Sequence, residues 1–245
     1  MHFPEESPFE IAHKPVEDGF PFEVETDSLA DSMGLRMPNR SLYLLQGKVG
    51  AGKSLISQRL VHGMVENGVK VLVITTELTT RGWIEQTESI GYGMTEAIRR
   101  GQVMVLSRYG TVADARGDVS LGDVLASPAV QAADVIVLDS ASSLMPTEGT
   151  KADHVALIQQ FRKIASDGRS FMLCADPEEM DASLLHSLRA SAEVVLDLEN
   201  AMIGGEIKRN IIITRFLRAA GPIQTSIGWR VEPAMGFIVD ITAVS

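Results

Sequence analysis

The stretch GKVGAGKSL, residues 47–55, constrains the fold of this chain more than any other feature. It follows the spacing G-x-x-x-x-G-K-[ST], with Gly47, Gly52, Lys53 and Ser54 at the defining positions and Gly50 as an extra glycine. Glycines let the backbone curl until successive N–H groups face one anion. A helix that follows turns its positive N-terminus toward the same point. Such a loop needs a strand before it and a helix after it. SLYLLQG (41–47) reads as a buried strand. From Lys53 to about Asn67, Ile56, Leu60 and Met64 recur at helical spacing, and Asn67-Gly68 stops the run. Gly47, Lys48, Val49, Gly50, Ala51, Gly52, Lys53, Ser54 and Leu55 are therefore expected to cradle a nucleotide's phosphates. Lys53 would reach the β- and γ-phosphates, and the Ser54 hydroxyl would ligate Mg²⁺.

The rest of the chain supplies a sheet to carry that loop. VKVLVITT (69–76), VMVLSR (103–108), DVIVLDS (134–140) and SFMLCAD (170–176) read as further strands. Helical stretches separate them: RGWIEQTESIGYG, a segment near 120–132, and one opening at Thr150 with Asp153 as a capping box. Val155, Ile158, Phe161 and Ala165 mark the buried face of that last helix. DPEE then predicts a new helix, with Asp176 as its N-cap and Pro177 in its first position. Strands alternating with helices argue for a parallel sheet covered on both faces. The end of the chain changes character. AEVVLDLEN, IKRNIIITRFL, QTSIGWRV and GFIVDITAV are strands joined by links, such as MIGGE, too short to hold helices, so this part is expected to be antiparallel. The fold class that follows is α/β: a central, mostly parallel sheet flanked by helices, with C-terminal antiparallel strands.

A nucleotide–magnesium site needs a carboxylate at the end of a second strand. Asp139, closing VIVLD, fits a Walker B aspartate that holds Mg²⁺ through water. Hydrolysis further needs a base for the attacking water. Many ring ATPases carry a Glu directly after the Walker B Asp, where this chain has Ser140, so Glu77 in VITTELTT is the candidate base. Cys174 is alone and sits in an apolar run, which reads as a buried inert thiol in a reducing compartment. Trp83, Tyr92 and Trp229 could stack an adenine, but packing is the stronger reading for each.

Charge and hydropathy narrow the function classes. The chain has no run of eighteen apolar residues, so no membrane-spanning helix is expected. Its start is acidic and proline-containing, without the pattern of a secretory signal. Residues 1–31 hold nine carboxylates and only Lys14, so of the net charge of −10 only −2 belongs to the rest of the chain. Residues 1–27 therefore read as an acidic arm, solvated or docking on a basic partner, ahead of one domain over 28–245. SASSLMPTEGTKADH, after Asp139, has one Lys and no Arg, which argues against a RecA-type DNA-dependent ATPase.

These residues resemble the RecA/KaiC branch of P-loop ATPases. DSLADSMGLRMPNRSLYLLQGKVGAGKS looks like the entry pattern of KaiC-like domains, and VIVLDSASSL resembles their Walker B strand. TTELTTRGWIEQ, LRASAEVVLDLEN and WRVEPAMGFIVDITAVS are similar to the archaellum-associated FlaH/ArlH family, over about residues 27–245. That resemblance implies a single RecA-like domain that binds Mg-ATP in the cytoplasm, forms a homo-oligomeric, hexameric ring, and associates with the hexameric motor ATPase beneath the membrane platform protein. It also implies that bound ATP, more than rapid turnover, is the functional state. Relatives use Lys or Arg on late strands to contact the neighbouring subunit's nucleotide. Lys208, Arg209, Arg215 and Arg218 lie in that region, and Arg215 and Arg218 are the candidates for acting across the interface. The chain departs from the pattern at Gly34, where many relatives have several glycines, and at Glu77-Leu78, where KaiC-like enzymes often have two glutamates. A KaiC-type signalling ATPase acting on other proteins is the alternative reading.

Overall fold

The computed structural model describes residues 19–110, 120–232 and 235–240. The chain enters through β1 (Phe20–Pro21), α1 (Leu29–Ser32) and β2 (Arg36–Met37), then runs into β3 (Leu42–Gln46), α2 (Lys53–Glu66) and β4 (Val71–Thr75). Next come α3 (Thr80–Ser89), α4 (Thr95–Arg99), β5 (Val103–Ser107), α5 (Leu121–Ala126), α6 (Pro128–Ala132) and β6 (Val135–Asp139). The second half holds α7 (Lys151–Ser166), β7 (Ser170–Ala175), α8 (Ala182–Ser191), β8 (Val194–Ile203), β9 (Glu206–Phe216), β10 (Ser226–Glu232) and β11 (Gly236–Asp240).

One nine-stranded sheet organises the molecule, in the order β11-β10-β9-β8-β3-β7-β6-β4-β5. From β8 to β5 every pairing is parallel. From β8 outward to β11 every pairing is antiparallel. The parallel strands are nearly continuous apolar runs because both of their faces are covered. Side chains alternate between those faces. Tyr43 and Leu45 join the core under α2, whereas Leu42 and Leu44 join the one under α5 to α8.

The entry segment is part of this packing. Phe22 is fully buried, and Asp27 accepts two hydrogen bonds from the Arg59 guanidinium, at 2.6 and 2.7 Å, in a pair sealed from solvent. Gly63 makes the crossing possible, since a side chain there would collide with the Phe22 carbonyl. Residues 19–27 of the acidic stretch are therefore built into the domain. Residues 1–18 lie outside the described residues, as do residues 241–244 of the last expected strand.

Three local expectations need correction. DPEE does not open a helix: α8 begins at Ala182, capped by Asp181, which accepts from the Leu184 amide at 2.8 Å. Asp176 instead accepts from the Glu178 amide at 3.0 Å in a turn, with its other carboxylate oxygen 3.5 Å from Lys53 Nζ. On α7 the buried stripe is His154, Ile158, Phe161 and Ala165, while Val155 is exposed. Counting back one full helical turn from Ile158 reaches position 154, and position 155 falls off the stripe. The helical stretch near 120–132 is two short helices, because Ser127-Pro128 ends one and caps the next. The Thr150–Asp153 capping box forms as read.

Candidate functional site

The phosphate loop leaves the C-terminal end of β3 and enters α2 at Lys53. Gly50 and Gly52 have φ of +80° and +96°, the left-handed region that glycine adopts without a steric penalty. Position 52 has a second reason to be glycine, since a Cβ there would lie 2.5 Å from the Trp229 ring. The loop is also held from outside. The Gly47 amide donates to the Ala175 carbonyl at 3.1 Å, and Asn200 Nδ2 donates to the Gly50 carbonyl at 3.1 Å.

The polar groups of the loop converge on one cleft, lined by Val49, Gly50, Gly52, Lys53, Ser54, Leu55, Glu77, Asp176, Glu179 and Arg209. Lys53 Nζ donates to the carbonyls of Gly47 at 2.7 Å and Lys48 at 3.2 Å, which folds its ammonium back over the loop. Ser54 Oγ donates to Asp139 Oδ1 at 3.1 Å. Asp139 is buried at the end of β6. Burial, with a smaller push from the Glu77 charge, raises its carboxyl to about 6, against the opposing pull of the Ser54 hydrogen bond. Cys174, next to it on β7, is fully buried, and burial pushes its thiol well up, so it is a packing group and not a nucleophile.

The residue after Asp139 is locked. The Ser140 amide donates to Thr76 Oγ1 at 2.9 Å, and the Thr76 hydroxyl donates back to the Ser140 carbonyl at 3.1 Å. These bonds join the ends of β6 and β4 beneath the cleft. Glu77 follows directly, exposed and lining the cleft, and no hydrogen bond or ion pair among the described residues fixes its carboxylate.

The donor set suits Mg²⁺ accompanied by phosphate. Ser54 and Asp139 bring two hard oxygen ligands together, yet among the described residues no three His, Cys, Asp or Glu side chains could hold a metal alone. Magnesium favours this arrangement, with one or two protein oxygens and the remaining positions filled by water and phosphate.

The sequence-predicted cations fall in different places. Arg215 Nη1 donates to the Ala190 carbonyl at 2.9 Å, at the end of α8. Arg218 bonds Ser41 Oγ at 2.6 Å, near the start of β3 and so at the opposite end of that strand from the phosphate loop. Lys208 pairs with Glu206 at 2.7 Å on the surface. Only Arg209 of that group lines the cleft. Trp83, Tyr92 and Trp229 are all buried in the core under α2.

Sequence reasoning missed Asp176, Glu179, Asn200 and Arg209 as neighbours of the loop. Asp176 carried a signal, since it closes a buried strand as Asp139 does. Asn200 carried none, because it arrives on a strand 150 residues later in the chain, and Arg209 stood only among the late-strand cations expected near a neighbouring subunit's nucleotide.

Comparison with known proteins agrees with this geometry. A sequence model of the KaiC ATPase family matches residues 26–222. The archaeal flagellar ATP-binding protein FlaH of Methanocaldococcus jannaschii is 30% identical over 224 residues, covering 91% of this chain and 96% of that protein. The protein of the same name from Methanococcus voltae is 26% identical, over 91% of this chain and 97% of its own length. Among solved structures, the flagellar accessory protein FlaH of M. jannaschii superposes with a TM-score of 0.84 at 29% identity, covering 92% of this chain and all of that one.

Proposed function

The chain belongs to the KaiC ATPase family and, within it, to the archaeal flagellar ATP-binding FlaH proteins, and from that premise we propose that it binds Mg-ATP as a regulatory and assembly component of the archaellum motor. In this reading it hydrolyses ATP slowly or not at all. It acts in the cytoplasm, as a homo-oligomeric and hexameric ring that engages the hexameric motor ATPase beneath the membrane platform protein.

The observation that carries the nucleotide reading is the meeting of Ser54 and buried Asp139, 3.1 Å apart, at the mouth of the glycine loop. Bound Mg²⁺ would neutralise phosphate charge there. The chain's own part is to surround the anion with backbone N–H groups from Gly50 to Ser54, to bring the Lys53 ammonium over the loop, and to keep Asp139 dry. Slow hydrolysis is supported by what surrounds the attacking position. Ser140 stands where many ring ATPases carry a base, and its backbone is tied to Thr76. Glu77, the remaining base candidate, is exposed and unfixed, so it is poorly held for orienting one water. No helix among the described residues is long and apolar enough to cross a membrane, so the membrane would be reached through partners.

The test is capture of the purified motor ATPase by this protein with ATP, with ADP and without nucleotide. Capture is expected to depend on ATP and to be lost in Lys53→Ala, which should weaken ATP binding at least a hundredfold, about 3 kcal/mol. ATP affinity unchanged in that variant would remove the phosphate-site assignment, and capture indifferent to nucleotide would remove the regulatory role.

A further inference from the structure

Arg209 belongs to the antiparallel part of the sheet, yet it shares a cleft with Gly52, Lys53, Ser54 and Glu77. The strand register sets its position, since Arg209 lies directly opposite Trp229 across the β9–β10 pair. Trp229 is itself fixed, stacked on Phe237 with centroids 5.2 Å apart and packed beneath Gly52. The Arg209 guanidinium rests over that indole, 5.7 Å from its centroid. A cation–π contact of this kind orients a guanidinium without neutralising it.

The other cations of this region are satisfied. Lys208 pairs with Glu206 and Arg230 with Glu232, each at 2.7 Å, and Arg215 donates to carbonyls. Arg209 differs. Among the described residues no carboxylate pairs with it, and its buried Nε has no hydrogen-bond partner. Lys53, the other cation of the cleft, is already divided among the Gly47 and Lys48 carbonyls and Asp176, while Glu77, Asp176 and Glu179 press negative charge on the same space. A partly desolvated, planar, unpaired guanidinium beside an anion-binding loop is complementary to phosphate oxygens.

Resting on the reading that this cleft takes a nucleotide, we infer that Arg209 is a second phosphate ligand for nucleoside di- and triphosphates, supplied by the same chain whose loop binds them. Strand β9 thereby delivers a cation to the phosphates from outside the loop and the helix.

The test is calorimetric titration of the full chain with Mg-ATP and with ADP, comparing wild type, Arg209→Gln, Arg209→Lys and Lys53→Ala. Arg209→Gln keeps an unbranched polar side chain on β9 and removes the charge. It is expected to weaken ATP binding about 10- to 30-fold, as loss of a charge-assisted bond would. Arg209→Lys should stay within about fivefold of wild type. Binding by Arg209→Gln within twofold of wild type, or a Lys variant as weak as the Gln variant, would overturn the assignment. Mixing Arg209→Gln with Lys53→Ala chains would rebuild complete sites if the arginine acted on a neighbouring copy. No recovery is expected, and recovery would overturn the same-chain placement. Failure of the nucleotide reading looks different, because wild type itself would then take up no ATP.

Discussion

The two halves of the sheet hold the phosphate loop by opposite means. In the parallel half, each candidate functional group stands at the C-terminal end of a strand, where the chain turns into the next segment: the loop after β3, Glu77 after β4, Asp139 on β6 and Asp176 after β7. Placement there is local, because a crevice outside the carboxyl ends of parallel strands arises from the winding itself. In the antiparallel half, Asn200, Arg209 and Trp229 reach the loop sideways, through register across β8, β9 and β10. The first half supplies chemistry that a short motif encodes. The second supplies a floor and a wall that only the assembled sheet creates.

The sharpest way to break that comparison is to remove Trp229, on the antiparallel half, and Phe161, on the helix α7 that covers the parallel half. Trp229→Ala and Phe161→Ala should each cost about 3–5 kcal/mol in denaturant unfolding, as large buried truncations do. Only the Trp229 variant should also lose ATP affinity, because Phe161 packs with Phe171 on the far face of the sheet and touches nothing in the cleft. Equal affinity in the two variants would mean that the antiparallel half does not support the loop.

An effect of similar size tests where the domain begins. Asp27→Ala leaves the Arg59 guanidinium buried without its partner and should cost about 3–5 kcal/mol, whereas replacing both members with apolar residues should recover most of it. Thermal or denaturant unfolding of the two variants gives the answer. A negligible loss in the single variant would return residues 19–27 to the status of an arm.

That pair also shows what the sequence could and could not reveal. The loop, its flanking strand and helix, the strand that ends in Asp139 and the antiparallel ending were legible because each is a local pattern of period, turn or spacing. The counting of charges over residues 1–31 was blind to partners, so Asp27 looked like one more solvated carboxylate. Asp176-Pro177 has the composition of a helix start, yet Lys53 draws its carboxylate away, and a cap five residues later wins. Val155 looked like a core position because valine is apolar, whereas His154 fits the helical period and is buried. Arg209 was visible as a cation but not as a neighbour of the loop.

A smaller effect follows from the buried carboxylate of the parallel half. The folded state lifts Asp139 from its ordinary 3.8 to about 6. Its contribution to stability is therefore fully present below 3.8 and is lost as pH rises through about 6. Asp139→Asn should accordingly stabilise the nucleotide-free protein at pH 7 to 8, by about 2 kcal/mol, with the gain shrinking toward pH 4. Melting curves across that range check the sign, and the same variant should bind Mg-ATP poorly. A variant less stable than wild type at pH 8 would contradict the burial argument.

The smallest expected change serves as the control. Thr150→Ala removes a capping box at the start of α7, far from the cleft, and should cost about 1 kcal/mol while leaving ATP affinity unaltered. Calorimetric titration alongside the melt checks both halves of that statement.

The central claim is that the cleft holds ATP as a state more than it consumes it. The direct measurement is to mix the protein with Mg-ATP and follow, by rapid quench and nucleotide separation, which nucleotide the protein carries over time. ATP remaining on the protein through many minutes, with little change on Glu77→Gln, is the predicted result. Conversion to ADP at about one per second or faster, abolished by Glu77→Gln, would contradict it.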